Sequence, residues 1–96
     1  MIKLNKIRYR TDFFNGIDYK IHRCKVKDHA NLENGQYDIF CYNKKIEKIF
    51  FTPYFDMDCF SGTDFPGNEL LIENKENNNI KEIFKQFLTS QNINIK

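Results

Sequence analysis

The feature that most constrains this chain is a single amphipathic helix pattern near its C-terminal end. In the stretch NNNIKEIFKQFLTS, apolar residues recur at intervals of three and four, which is the spacing of one helix face. Asn79 with Glu82 three residues later is typical of a capping box, so we expect a helix over about 80–90 and a frayed tail after it. The residues of the apolar face are Ile80, Ile83, Phe84, Phe87 and Leu88.

The chain before this helix is rich in strand-forming residues. Asn15-Gly16 separates KIRYRTDFF from IDYKIHRCKV, a pattern that predicts a hairpin with a two-residue type I′ loop. A second hairpin is expected after Asn34-Gly35, and Pro53 should end it because proline cannot donate to a ladder. The predicted strands cover residues 2–13, 18–27, 37–43 and 46–52, with 70–74 as a candidate short fifth strand.

The first two strands change their apolar phase midway. Ile2 and Leu4 are out of step with Ile7, and Tyr19 is out of step with Cys24. Either each strand contains a β-bulge that keeps one face apolar, or both faces of the sheet are partly covered.

Together these patterns predict one α+β domain over residues 1–96. We expect an antiparallel sheet of four to five strands, built from two hairpins, with one C-terminal amphipathic helix packed on one face. At 96 residues the chain has room for one core, and its ten Phe and five Tyr could supply most of it.

The cysteines and the hydropathy pattern indicate a cytoplasmic protein. Cys24, Cys41 and Cys59 are odd in number and form no CxxC motif, which argues against a disulfide framework. The N-terminal residues lack the apolar run of a signal peptide, and no stretch approaches the length of a membrane span. We therefore expect reduced thiols and no membrane association.

Metal binding and catalysis are weakly supported. The segment beginning at Asp56 fails the EF-hand pattern, because Phe60 and Gly67 stand where ligands are needed. His22 and Cys24 form only half of a zinc site, which His29, Cys41 or Cys59 would have to complete. No phosphate loop, nucleophile elbow or HExxH motif is present, so we expect no catalytic residues, no metal and no cofactor.

Basic residues concentrate in the first hairpin, although the whole chain carries a net charge of only +2. This asymmetry favours a nucleic-acid-binding module as the alternative function, with Tyr9 and Tyr19 available for base stacking. The competing interpretation is that these Lys and Arg side chains lie on the solvent face and edges of the sheet, where their charge discourages aggregation. The candidate contacts are Arg8, Arg10, Lys20, Arg23, Lys25 and Lys27.

The segment FTPYFDMDCFSGTDFPGNE, residues 51–69, interleaves aromatic rings with carboxylates and is too broken for a regular element. Either its rings close the end of the core, or it is a surface for a partner, since long irregular connections are uncommon in compact domains. Rings supply burial at an interface and acids supply steering toward a basic surface. The candidate partner-binding residues are Tyr54, Phe55, Asp56, Asp58, Phe60, Asp64, Phe65 and Glu69.

These observations favour a small non-enzymatic binding protein. The Asn-, Ile-, Lys- and Phe-rich composition is typical of low-GC bacteria and their phages, so the specific hypothesis is a phage or mobile-element inhibitor. Such a protein, anti-CRISPR-like in its action, would occupy the nucleic-acid-binding surface of a host defence nuclease in the host cytoplasm. An immunity or antitoxin protein is a further alternative, and a homodimer through sheet extension is compatible with the pattern.

Overall fold

The computed structural model describes residues 2–8, 16–53, 68–70 and 75–93. Within these ranges the chain forms one antiparallel sheet and one helix, which confirms the predicted α+β class. The strands lie side by side in sequence order, so that each pairs with the next. The elements are β1 (Ile2–Arg8), β2 (Lys20–Val26), β3 (Gly35–Tyr42), β4 (Lys45–Pro53), β5 (Asn68–Leu70) and α1 (Lys75–Ser90).

The β1–β2 ladder contradicts the predicted two-residue loop at Asn15-Gly16. In such a loop Lys20 would pair with Thr11, whereas it pairs with Arg8. The register therefore does not lead into a two-residue loop at 15–16, and Gly16, the first residue described after β1, has a φ of 78°. An Asn-Gly pair supplies positive φ wherever the chain needs it, and this need is not restricted to two-residue loops.

The change of phase in the first two strands is not caused by a bulge. The β1–β2 register runs without interruption from Ile2 opposite Val26 to Arg8 opposite Lys20. Instead, consecutive residues of β2 are buried, which is the expected pattern when both faces of a sheet are covered. The register shifts elsewhere, at Phe40 and Cys41 in the β3–β4 ladder.

The β3–β4 hairpin has the tight turn that was predicted for β1–β2. Tyr42 pairs with Lys45, and the two residues between them, Asn43 and Lys44, have φ angles of 52° and 63°. Positive φ at both central positions defines a type I′ turn, whose twist matches that of the flanking strands. Asn tolerates this conformation well, but Lys is a poor choice for it.

The second Asn-Gly pair also has a role other than a turn. Gly35 is the first residue of β3, and the ring of Phe51 lies directly over it, in the space a Cβ would need. The side chain of Asn34 accepts a hydrogen bond from the backbone N–H of Asp28 at 2.8 Å, which closes the β2–β3 loop. Leu32 is buried in the core from the same loop.

Helix α1 begins at Lys75, earlier than predicted, so Asn79 lies inside the helix and is not its N-cap. Its C-terminal end is a Schellman motif: the N–H of Ile93 bonds to the carbonyl of Leu88 at 2.9 Å, and the N–H of Asn92 to that of Thr89 at 3.0 Å. Asn92 has the required positive φ of 63°. The buried Ile93 packs in the same cluster as Leu88, so the first residues of the expected frayed tail are anchored.

The helix covers one face of the sheet. Phe84 and Leu88 are fully buried there, and the remaining members of the predicted apolar face, Ile80, Ile83 and Phe87, are half-buried against the same cluster. Tyr37 of β3 lies at the centre, with its ring centroid 5.1 Å from that of Phe84. The other residues of this cluster are Cys24, Val26, Leu32, Ile39, Cys41, Ile46, Ile49, Phe51 and Ile93.

The opposite face of the sheet, called here the second face, is also buried although no helix or strand among the described residues lies over it. One half is apolar, with a cluster formed by Tyr19, Ile21, Phe40 and Phe50. The other half is polar, with buried side chains of Arg23, Gln36, Asp38 and Thr52.

Candidate interaction surfaces

The acidic-aromatic segment predicted as a partner surface is held at both ends by the sheet. Its first ring, Phe51, belongs to the buried core of the helix side. Phe51 also pairs with Asn68 across the β4–β5 ladder, so the residues that flank 54–67 lie on neighbouring strands. This stretch lies outside the described residues, and with it seven of the eight predicted partner-binding residues: Tyr54, Phe55, Asp56, Asp58, Phe60, Asp64 and Phe65.

Glu69, the eighth of these residues, lies on β5 next to the end of the segment. Its carboxylate accepts a hydrogen bond from the Nζ of Lys48 on β4 at 3.3 Å, and both side chains remain well exposed, at 44% and 36%. An exposed pair of this kind contributes little to stability. It does neutralise the Glu69 charge, so Glu69 adds less to an acidic surface than its sequence position suggests.

Arg23, predicted as a nucleic-acid contact, is instead buried on the second face. Its guanidinium holds the carboxylate of Asp38, its direct cross-strand neighbour, with Nε–Oδ1 at 2.7 Å and Nη2–Oδ2 at 3.2 Å. Burial raises the pKa of Asp38, and the hydrogen bond and charge of Arg23, together with the Gln36 amide, oppose that rise. The pair is structural: Arg23 is not available to a phosphate backbone.

Among the remaining predicted nucleic-acid contacts, the described residues Lys20 and Lys25 do not lie on one face of the sheet. Lys20, Lys25 and Lys27 are exposed, while Arg8 stands opposite Lys20 in the ladder and Arg10 lies outside the described residues. Lys20 and Lys25 are five residues apart on β2, which places them on opposite faces and about 17 Å apart along the strand. A nucleic-acid duplex needs cations that converge on one side, and this arrangement separates them.

Of the two tyrosines expected to be available for base stacking, Tyr19 is buried and Tyr9 lies outside the described residues. The ring of Tyr19 lies edge-on to Phe40, with centroids 5.4 Å apart, and its other neighbour is Tyr42 at 6.1 Å. Tyr42 is the large hydrophobic residue that stays exposed among the described residues, at 42%. Sequence reasoning passed over it, although its place directly before the Asn43–Lys44 turn, at the end of a strand, was a usable signal.

Of the candidate zinc ligands, Cys59 lies outside the described residues, and the others are buried or hydrogen-bonded. Burial raises the pKa of the Cys24 thiol far above its usual range and that of Cys41 to about 12, so both stay protonated at neutral pH. His22 is fully buried on the helix side, and Nδ1 of His29 accepts the backbone N–H of Asn31 at 3.0 Å. No group of three or more potential metal ligands occurs in the part of the chain that the structure describes.

Comparisons with known proteins leave the chain without a family. No protein-family model matches it, no curated protein is significantly similar to it, and no solved structure matches its fold significantly. Within the described ranges, α1 is neither long nor apolar enough to serve as a membrane-spanning helix. The class that the fold defines is thus a two-layer α+β protein with a sequential five-stranded antiparallel sheet.

Proposed function

We propose that this protein is a non-enzymatic inhibitor that binds a protein partner through the acidic-aromatic segment, residues 54–69. The observation that carries the proposal is the anchoring of the segment: Phe51 and Asn68 are direct partners in the β4–β5 ladder. A long connection whose ends are fixed on adjacent strands is presented by a rigid scaffold, which is how folds commonly position binding loops.

The composition of the segment supports a basic partner surface. Asp56, Asp58 and Asp64 supply the negative charge, and Glu69 contributes less because it is paired with Lys48. Carboxylates of this kind accelerate association with a cationic surface, and the neighbouring rings supply the buried contacts that slow dissociation. A groove that normally holds the phosphate backbone of DNA or RNA is such a surface.

The specific form of the proposal is a phage or mobile-element protein that blocks a host defence nuclease, anti-CRISPR-like in its action. It would act in the host cytoplasm, where its thiols remain reduced.

The test compares a variant of the segment with a variant of equal charge. The tagged parent, an Asp56→Ala, Asp58→Ala, Asp64→Ala variant and an Asp18→Ala, Glu47→Ala, Glu82→Ala control are used to capture proteins from a nuclease-treated low-GC bacterial lysate. Asp18, Glu47 and Glu82 are exposed and lie outside the segment, so the control removes the same charge elsewhere. The captured partner is then purified, and its binding to labelled DNA and RNA is measured in competition with each variant.

The expected result is one nucleic-acid-binding protein, enriched by the parent and the control but not by the segment variant. The parent should displace nucleic acid from it, with an association rate that falls as salt rises. Equal binding by the parent and the segment variant would refute the acidic surface.

The competing interpretation, that the rings close the core, gives a different result. Replacing Tyr54, Phe55, Phe60 and Phe65 singly by Ser should weaken partner binding while leaving the unfolding midpoint within a few degrees of the parent. A large drop in the midpoint for these four variants, with binding by the Asp variant unchanged, would make the segment part of the core instead.

A further inference from the structure

β1 is the outermost strand on one side of the sheet. All seven of its residues pair with β2, and no other described strand pairs with it. The far edge of a fully extended strand offers a row of backbone N–H and C=O groups to another chain. β5, at the other side of the sheet, spans only three residues and offers far less.

The β1–β2 pair carries like charges directly opposite one another. Lys3 pairs with Lys25, and Arg8 pairs with Lys20. Like charges at directly opposite positions destabilise a ladder. Neither strand contains an acidic residue, and Asp38 on the adjacent β3 is paired with Arg23. The sequence of β1 and β2 therefore supplies no acidic side chain to neutralise these two pairs.

The charges are distributed over both faces of the strand pair. The Lys3–Lys25 and Arg8–Lys20 pairs are separated by an odd number of positions, so the alternation of the strands places them on opposite faces. A rod-shaped duplex approaching from one side would meet only one of them. An added strand would meet both, because its own successive side chains also alternate between the two faces.

We propose that the outer edge of β1 binds an extended acidic segment of a partner protein by strand addition. Main-chain hydrogen bonds to β1 would supply affinity, and acidic side chains on both faces of the added strand would neutralise the two cationic pairs. A second copy of this chain is a poor occupant, because two β1 strands would bring Lys3, Lys6 and Arg8 together from each side. This surface is distinct from the segment at residues 54–69.

The proposal is tested by fluorescence anisotropy with the full chain and three labelled probes. The first probe is a nine-residue peptide of Glu, Val and Thr, with Glu at positions of both faces. The second is the same peptide N-methylated at every internal amide, which keeps the charge but removes the backbone donors. The third is a twelve-nucleotide single-stranded DNA, which is a polyanion without strand geometry.

Two double variants of the protein are compared: Lys20→Gln with Lys25→Gln, and, as a control, Lys81→Gln with Lys85→Gln. Each removes two positive charges. Because Lys20 and Lys25 are exposed, the first double variant should fold, and its thermal unfolding curve verifies this. We expect the acidic peptide to bind the parent and the control equally and the Lys20, Lys25 variant about tenfold more weakly. The methylated peptide should not bind.

Four outcomes overturn the proposal. Equal binding of the methylated peptide would reduce the site to charge attraction without strand addition. Tighter binding of the DNA than of the acidic peptide would identify a nucleic-acid surface. Sedimentation as a dimer that the peptide cannot dissociate would identify a second copy as the occupant. No binding of the acidic peptide at millimolar concentration would leave β1 as a protected edge only.

Discussion

Arg23 shows at the scale of a single residue why sequence position alone misplaces a charge. The sequence KIHRCKV predicts a basic strand. In a sheet with one solvent-exposed face, the arginine of such a strand would be expected to lie in solvent. In this protein both faces of the sheet are covered, and the guanidinium is buried against Asp38. The partner lies fifteen residues away, so only the β2–β3 register could reveal the pair.

Replacing Arg23 with Met should destabilise the protein by about 3–5 kcal/mol at pH 7, because it leaves the Asp38 carboxylate buried without its counter-charge. The Arg23→Met, Asp38→Leu double variant removes both charges and should recover most of that loss. Urea unfolding of the three proteins measures the effect. Equal stability of the single and double variants would contradict the structural role of the pair.

The pKa of Asp38 gives this prediction a pH dependence with a definite sign. Because burial raises the pKa above its usual value of 3.8, the folded state holds a proton more tightly than the unfolded chain. Stability contributed by this group is therefore gained as pH falls through the folded-state pKa toward 3.8 and is lost above it. Removing Arg23 raises the pKa further, so the gap between Arg23→Met and the double variant should narrow as pH falls from 7 to 4.

Gly35 is a second residue whose role depends on the fold. A Cβ at this position would collide with the ring of Phe51 and the backbone carbonyl of Thr52. Gly35→Ala should therefore destabilise the protein by about 1–3 kcal/mol, the usual cost of overpacking. Thermal unfolding measures this, and a Gly35→Ala, Phe51→Leu variant should lose less than the sum of the two single changes. Strict additivity would show that the ring is not the obstacle.

At the scale of elements, local patterns predicted the type of each element better than its ends. The apolar face of α1 was identified correctly because its periodicity extends over two helical turns. The predicted start of the helix was wrong, because Asn79 and Glu82 form a capping pattern within the helix. The Schellman motif at its C-terminal end was not predicted, because glycine is the usual signal for this motif and Asn92 occupies that position here. The Asn-Gly rule likewise failed for β1–β2, where the observed register does not lead into a two-residue loop.

The β3–β4 turn offers a direct test of the same rule. Lys44 has a φ of 63°, a conformation that disfavours any side chain with a Cβ. Lys44→Gly would create Asn-Gly at a true type I′ turn and should stabilise the protein by about 1 kcal/mol. Lys45→Gly is the control, since it removes the same charge from a strand position and should destabilise. The stability of each variant is compared with that of the parent by its denaturant unfolding midpoint. A lower midpoint for Lys44→Gly than for the parent would refute the turn assignment.

At the scale of the whole molecule, composition and strand count were sufficient for the α+β class, and they were not sufficient for the second buried face. The cue in the sequence was the change of apolar phase in the first two strands, which is compatible with a bulge or with two buried faces. The candidate site divides in the same way. Lys20, Lys25 and Lys27 are exposed, whereas Arg23 and Tyr19 are buried, because burial on the second face is a property of the complete sheet.

The buried weak acids of the helix-side core predict alkaline unfolding. Burial raises the pKa of Tyr37 and of Cys41 to about 12 each, from 10.0 and 9.0. The unfolded chain therefore loses these protons first, and stability falls as pH rises from about 9 to 12, by up to about 1.4 kcal/mol per pH unit for each group. Urea midpoints measured at pH 8, 10 and 11 should decline accordingly.

Tyr37→Phe provides the matched comparison. It removes the hydrogen bond from the Tyr37 hydroxyl to the carbonyl of Glu33, 2.9 Å long, and should cost about 1 kcal/mol at pH 7. Above pH 10 its decline should be shallower than that of the parent, because one titrating group is gone. Parallel pH profiles for the two proteins would show that Tyr37 ionises equally in both states.

The sequential order of the strands has a consequence for how the chain reaches this structure. Every ladder joins a strand to the one that precedes it, so each pairing closes a smaller loop, and loses less entropy, than pairing with a more distant strand would. During synthesis, each strand can pair with one already made, without waiting for a distant part of the chain. Helix α1 is the last element in the chain and its residues complete the helix-side core, so we expect its docking on the sheet to be a late step of folding.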